Sequence, residues 1–414
     1  MTFISALRGV WSRVALAAAM LLAGLALPAL AQEAGDPNFI PASQDPARTP
    51  NGLGQLPPMG WNSYNKYECK VTEADIRANA DAIATNGMRE LGYRYVIIDD
   101  CWEGARDKDG NLTAEPTRFP SGIKALADYV HARGLLFGIY SDGGIKTCAG
   151  FPGSQGHEFQ DAATFARWGV DYLKYDWCEA RTRNSEEAYS LMADALRATG
   201  RPILFSMCEW GLTKPWLWSE KIGNIRRTTG DLADAWSGVF LHQRGVMQIV
   251  ALNEPLWSYA GPGHYNDPDM LQVGNGGMTD AEYRSHFSLW AMMAAPLIAG
   301  NDTGHMTPAT KAILLNAEVI AVDQDPMGKQ GRRLAESGGA EVWQRDLAGG
   351  AKAYLLFNAS DKPTPIGVDT ADMGFVDGKG PRVRDLWAHR DVTVSGKRYI
   401  RTVPPHDVVM IRVG

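Results

Sequence analysis

Between Pro58 and roughly Asp325 the chain repeats one pattern eight times: a short apolar run that reads as a strand, then a connection, mostly of helical period. The runs are Met59–Tyr64, Tyr93–Cys101, Leu135–Asp142, Val170–Asp176, Pro202–Glu209, Asn224–Asp231, Tyr265–Leu271 and Pro296–Asp302. Such alternation argues for βα units on a parallel sheet. Eight units is the number that closes a (β/α)8 TIM barrel, so residues 58–326 are expected to form one. The first crossover shows how its helices are signalled. Thr72 is placed to cap a helix, with Asp75 three residues on, and Ile76, Ala80, Ile83 and Ala84 form a stripe at helical spacing. Gly92 is expected to stop that helix before the next strand.

Beyond Asp325-Pro326 the pattern changes. Glu341–Gln344, Ala353–Phe357, Val383–Trp387 and Val408–Val413 are strand-like runs separated by Gly, Pro, Asp and Lys, without helical intervals. Residues 327–414 are therefore expected to form an antiparallel β-sandwich. The other end differs again. Arg8 and Arg13 precede an apolar stretch from Val14 to Leu30, closed by Ala29-Leu30-Ala31 before Gln32. That is a secretory signal peptide over residues 1–31; the stretch is short for a membrane anchor. Residues 32–57, rich in Pro, Ala, Asp and Gly, read as a linker. Export to the periplasm or the extracellular space follows, with no stable membrane association once the signal is cut.

Export permits disulfides among Cys69, Cys101, Cys148, Cys178 and Cys208, an odd number that leaves at least one thiol outside any intrachain bridge. The sequence has no C-x-x-C pair, and its eight histidines lack ligand spacing, so no metal site or cofactor is expected. A formal net charge of -6, from 41 basic and 47 acidic residues, gives no footprint for nucleic acid. The expected partner is a neutral small molecule or a polysaccharide; oligomeric state is not encoded in any pattern.

The ends of the barrel strands carry polar residues that no core requires. They are Asp99-Asp100, Tyr140-Ser141-Asp142, Lys174-x-Asp176, Glu209-Trp210, Arg227 through Asp231, and Asp267-Pro268-Asp269. In such barrels the C-terminal strand ends form the active face. Any one aspartate could cap a helix, but an array on one face describes a polar pocket. Carboxylates accept from hydroxyls, Lys and Arg donate to them, and Trp61, Tyr64, Trp102, Trp177 and Trp210 offer aromatic surface near the mouth. The array suits a sugar, and a carboxylate pair such as Asp176 and Asp231 is the minimum machinery for cleaving a glycosidic bond. A non-catalytic sugar-binding protein would not need both. A metal-dependent aldolase or isomerase would need His and Glu ligands, which these strand ends mostly lack.

Six segments resemble glycoside hydrolase family 27, the α-galactosidase (melibiase) family. They are Pro58–Ser63, Ile98–Trp102, Gly138–Asp142, Leu173–Cys178, Cys208–Trp210 and Asn266–Leu271; Arg384–Trp387 and Pro404–His406 look like further landmarks. The resemblance implies a retaining exo-α-galactosidase acting on α-galactosides, with Asp176 as nucleophile and Asp231 as general acid/base. Lys174 would favour the charge on Asp176, and that charge would help Asp231 keep its proton until the glycosyl-enzyme forms. By the same resemblance Asp99 and Asp100 bind O4 and O6, Lys174 and Arg227 donate to ring hydroxyls, Tyr140 lines the pocket, and Asp269 supports its far wall. Glu209-Trp210 lies near C2, where α-N-acetylgalactosaminidases have small residues. The family's bridges map onto Cys69–Cys101 and Cys148–Cys178, leaving Cys208 free. Tyr64 replaces a tryptophan common in the family near the sugar's C6, which raises β-L-arabinopyranosides as an alternative substrate, although Asp99 favours galactose. Leu212-Thr213 departs from the animal-enzyme pattern. Asn111, Asn301 and Asn358 begin glycosylation sequons.

Overall fold

The computed structural model describes residues 51–376 and 379–414. The signal peptide read over 1–31 and most of the 32–57 linker lie outside them. Residues 51–55 run along the barrel floor: the Asn51 amide donates to the Ile203 carbonyl and to Asn224, the Gly263 N–H donates to the Gly54 carbonyl, and the Tyr265 hydroxyl donates to the Gln55 carbonyl.

Eight parallel strands form the first sheet: β1 (Met59–Asn62), β2 (Tyr95–Ile98), β3 (Leu136–Asp142), β4 (Tyr172–Asp176), β5 (Leu204–Met207), β6 (Ile225–Arg227), β7 (Tyr265–Asp267) and β8 (Leu297–Ala299). They neighbour in chain order, with β8 returning beside β1. The ring closes just past β7. There the Leu271 N–H donates to the Ile298 carbonyl and the Gly300 N–H to the Leu271 carbonyl, a single bridge opposite Ala299. Ile97, Tyr172, Leu204, Ile225, Tyr265 and Ile298 fill the barrel interior beneath the mouth.

The helices follow the sequence signals where caps are strong. Helix α1 (Glu73–Thr85) starts in a capping box between Thr72 and Asp75 and buries Ile76, Ala80 and Ile83. It ends at Thr85, earlier than expected, because Asn86 accepts that role. Gly92, at φ +106°, instead closes a separate 3-10 turn over Arg89–Leu91. α2 (Gly122–His131), α3 (Glu158–Trp168) and α4 (Ser185–Ala198) follow in order. The passage from β5 to β6 holds only the 3-10 turn Pro215–Leu217, so that crossover is not the helix the pattern suggested. α5 (Val246–Asn253), α6 (Asp280–Met292), α7 (Pro308–Leu314) and α8 (Ala317–Asp323) complete the barrel.

The C-terminal part is antiparallel. A six-stranded sheet and the pair Thr364–Asp369 with Arg398–Val403 enclose Tyr354, Leu356, Ile366, Val368, Tyr399 and Ile411. The other face of the large sheet packs on α6, which explains why that helix is buried nearly all round. Polar contacts lock the join. Arg284 pairs with Asp407, the Ser285 hydroxyl donates to the His406 carbonyl, and Arg384 grips Glu318 with two bonds of 2.8 Å. Two of the three sequons are structural rather than accessible: Asn301 is buried, and the buried Asn358 amide donates to the carbonyls of Lys362, Val403 and Pro404. No helix among the described residues is long and apolar enough to cross a membrane.

Candidate active site

The carboxyl ends of β1 to β4 converge on one acidic cluster. β2 ends at Ile98, so Asp99 and Asp100 enter the loop beyond it, both buried. Asp99 is fixed by three neighbours: Lys174 Nζ at 2.8 Å, the Asn62 amide, and the Ser63 hydroxyl on its backbone N–H. Asp100 accepts from the N–H of Cys101 (2.7 Å) and of Ala149 (2.9 Å). Burial pushes Asp100 above the usual carboxylate range. Both of its backbone donors adjoin disulfides. Cys69–Cys101 and Cys148–Cys178 are formed, and Cys208 is a buried free thiol, as the resemblance implied.

Lys174 and Asp176 alternate along β4 and reach the mouth from the same side. Asp176 is buried and takes the Trp177 N–H at 2.9 Å. Burial raises its proton affinity; Lys174 opposes that rise, while the charges of Asp231 and Asp99 add to it. Burial alone would lower Lys174, but Asp99 leads the carboxylates that hold it firmly cationic. Tyr140, also buried, stands by Asp176 with Lys174 Nζ 5.3 Å from its ring centre, and its hydroxyl points to Cys148 Sγ. Tyr64 is 38% exposed. Partial burial and then the charges of Asp99 and Asp100 raise its hydroxyl, which places that group against the same acids.

The opposite wall is built around Arg227 at the end of β6. Its guanidinium is buried and reaches Asp231 at 2.9 Å and Asp269 at 3.2 Å. Asp231 does not end a barrel strand, as its run suggested. It lies four residues beyond β6 in a two-residue strand paired with Gln243–Arg244, with its side chain 48% exposed. Asp269 is a strut: it accepts from the Leu232 N–H at 2.7 Å and the Met270 N–H at 2.7 Å, while its own carbonyl takes the Trp290 indole N–H. Burial lifts Asp269, and Arg227 works against that lift. The backbones of Cys101, Trp210 and Asp269 have φ of +81°, +60° and +87°. Non-glycine residues in that region store strain, and here they cluster around the mouth.

Glu209 is wholly buried, with its carboxyl turned to the Thr213 N–H (2.8 Å) and hydroxyl (3.0 Å). Burial pushes it up to about 7. It ties down the turn that presents Trp210 to the open side of the mouth. Trp61 and Trp102, expected as exposed sugar platforms, are core residues; their indole N–H groups donate to the carbonyls of Asn301 and Tyr140. Tryptophan at a strand end carries the same hydrophobic signal whether it faces core or mouth.

Two residues to which the sequence assigns no separate role also belong here. Asn62 orients Asp99 and, through its Oδ1, accepts the Tyr64 N–H. Asp142 pairs in register with Asp176 across β3 and β4, and accepts from Gly144 N–H (2.6 Å) and Cys178 N–H (2.9 Å). A Cβ on Gly144 would lie 2.0 Å from the Cys178 carbonyl, so only glycine allows these loops to meet. Burial and the adjacent Asp176 drive Asp142 toward its protonated form. The strand-end array contained Asp142, but only the register reveals its neighbour. Asp142, Asp176, Cys148 and Cys178 crowd together, yet both sulfurs are consumed in the bridge, so the cluster does not offer a metal four free ligands.

The site is thus a pocket with a buried carboxylate on one wall, a half-exposed carboxylate on another, and the Lys174 and Arg227 side chains each paired with acids. Residues 56–325 match the family model described as alpha galactosidase A, and residues 337–413 match the alpha-galactosidase C-terminal beta sandwich domain. The chain is 47% identical to "Alpha-galactosidase A" of Cellvibrio japonicus, covering 87% of this chain and 92% of that protein. It is 50% identical to "Alpha-galactosidase" of Cyamopsis tetragonoloba, covering 84% of each. Among solved structures, alpha-galactosidase I from Mortierella vinacea superposes with a TM-score of 0.85 at 39% identity, covering 88% of this chain and 98% of that one. The barrel, the sandwich and these likenesses together mean that the chain belongs to glycoside hydrolase family 27, the α-galactosidase (melibiase) family.

Proposed function

We infer that the protein is a retaining exo-α-galactosidase that removes terminal α-D-galactosyl residues by double displacement. The observation that carries the assignment of roles is the contrast between the two acids. Asp176 is buried, tethered by the Trp177 N–H and faced by the Lys174 cation, as a nucleophile that must stay ionised and aimed requires. Asp231 is half exposed and positioned by Arg227 and, through Leu232, by Asp269, where it can exchange protons with a leaving group and with water.

In the first step an oxygen of Asp176 bonds to the anomeric carbon as the glycosidic C–O bond breaks, and Asp231 gives its proton to the departing oxygen. In the second, Asp231 takes a proton from water, the water oxygen bonds to the anomeric carbon, and the bond to Asp176 breaks. Two inversions give net retention. Asp99, Asp100, Lys174, Arg227, Tyr140 and Tyr64 hold the galactosyl unit. Asp269 acts as a positioning residue, and Glu209 acts through the turn that carries Trp210.

The Lys174–Asp99–Asn62 cluster keeps a rigid acceptor for the hydroxyls that distinguish galactose, which favours galactosides over β-L-arabinopyranosides. The two bridges support export to an oxidising compartment, periplasmic or extracellular. A panel of nitrophenyl α-galactoside, β-L-arabinopyranoside and α-N-acetylgalactosaminide tests the reading. The α-galactoside should be turned over fastest; a higher kcat/KM on either other glycoside would replace the assignment.

A further inference from the structure

A groove of about 830 Å³ runs past Asp231 and the Cys148–Cys178 bridge. Asp231 is its one carboxylate among the described residues. An acid that protonates the leaving oxygen must face the leaving group, so whatever is attached to galactose departs through this groove. Its walls are unlike those of the sugar pocket. Trp210, Leu212, Trp216, Leu241 and Leu252 supply its large apolar side chains, and His242 and Arg244 line it too. Leu212 is 67% exposed, Leu241 91% and Leu252 47%. Large aliphatic side chains held this open to water mark a surface that is covered in use.

Sugar hydroxyls need free polar partners; here the Thr228 and Thr229 hydroxyls already donate to Asn253 and to the Gly230 carbonyl, which leaves Asp231, His242 and Arg244. Alkyl groups need apolar surface, which the groove has. The Glu209–Thr213 clamp and the left-handed Trp210 show that one wall is built rather than incidental. Gly211 beside it packs so tightly that a Cβ would sit 2.3 Å from the Thr228 carbonyl, joining this wall to the segment that leads to Asp231.

Resting on the α-galactosidase reading, we propose that the groove receives an alkyl-bearing aglycone, so that α-galactosides with an apolar tail are preferred over galactosyl oligosaccharides. Binding the tail equally in ground and transition states raises kcat/KM. Two buried methylenes suffice for about tenfold.

The test uses the purified full chain and methyl, butyl and octyl α-D-galactosides below micellar concentrations, with melibiose alongside. All are poor alkoxide leaving groups, so the demand on Asp231 is shared. The expected result is a rising series, with octyl at least about tenfold above methyl and also above melibiose. A Leu212→Ser/Leu241→Ser variant, verified by thermal melting, should bring the octyl-to-methyl ratio to within about threefold. A flat series, melibiose above octyl, or an undiminished ratio in the variant overturns the proposal. Failure to hydrolyse even nitrophenyl α-galactoside would overturn the hydrolase reading itself and this one with it.

Discussion

Replacing Lys174 with methionine should move the acid limb of the kcat/KM profile toward alkaline pH. Asp176 must be ionised to attack, and its proton affinity is pushed up to about 6, by burial first and then by Asp231 and Asp99 against the pull of Lys174. Activity of the wild type should therefore fall as pH drops through about 6. Side chains two apart on a strand are roughly 6–7 Å from each other. At an effective dielectric of about 20, a unit charge at that distance is worth ~2.5 kcal/mol. That corresponds to nearly two pH units, reduced by water that enters the pocket. The limb should rise by roughly one to two units, whatever happens to its height through the lost contact with the sugar. The assay is the pH dependence of kcat/KM with a dinitrophenyl galactoside, whose leaving group needs little help from Asp231. The variant's melting temperature supplies a second sign. A folded carboxylate raised above its ordinary 3.8 loses stability as pH climbs through the interval between the two values. The methionine variant should extend that loss to higher pH. An acid limb that stays at the wild-type position would refute the claim that Lys174 tunes the nucleophile.

Further outcomes follow from the same geometry. Asp231→Ala should damage hydrolysis of melibiose far more than the first step with the dinitrophenyl substrate, leaving a burst of phenol before a slow steady state; equal losses and no burst would move the proton to another carboxylate. Trp236 stacks on His406 with ring centres 5.0 Å apart and meets Phe357 edge-on, so the sandwich braces the loop that begins at Asp231. Trp236→Ala should cost about 2 kcal/mol in denaturant unfolding and lower kcat; stability lost with kcat intact would show that the brace does not reach Asp231. Cys148→Ser with Cys178→Ser should cost about 2–4 kcal/mol and weaken galactose binding, since the Ala149 N–H that holds Asp100 follows Cys148 directly; unchanged inhibition by free galactose would contradict the second part.

The sequence exposed what depends on chain order and hid what depends on register. Strand ends carrying Asp99, Lys174, Asp176 and Arg227 were legible because apolar runs mark strands and their charged termini mark the mouth. The Thr72–Asp75 cap was legible because its two residues signal each other locally. Asp231 was found but misplaced: the run from Asn224 continues past the strand, and only the turn after Arg227, anchored on Asp269 through Leu232, shows where it goes. Asp142 beside Asp176 depends on pairing between β3 and β4, which no local pattern states. The burial of Trp61 and Trp102 depends on which face of a strand end turns inward. Closure through Leu271 lies past the end of β7, beyond the left-handed Asp269, and no local pattern states it.

The claim that Asp176 is the nucleophile and Asp231 its partner is tested most directly by azide rescue of Asp176→Ala on nitrophenyl α-galactoside. The alanine variant should fold and be almost inactive. Added azide should enter the vacated space, attack the anomeric carbon from the face Asp176 used, and restore turnover with β-galactosyl azide as product. An α-configured azide, or a variant that keeps wild-type turnover without azide, would contradict the account.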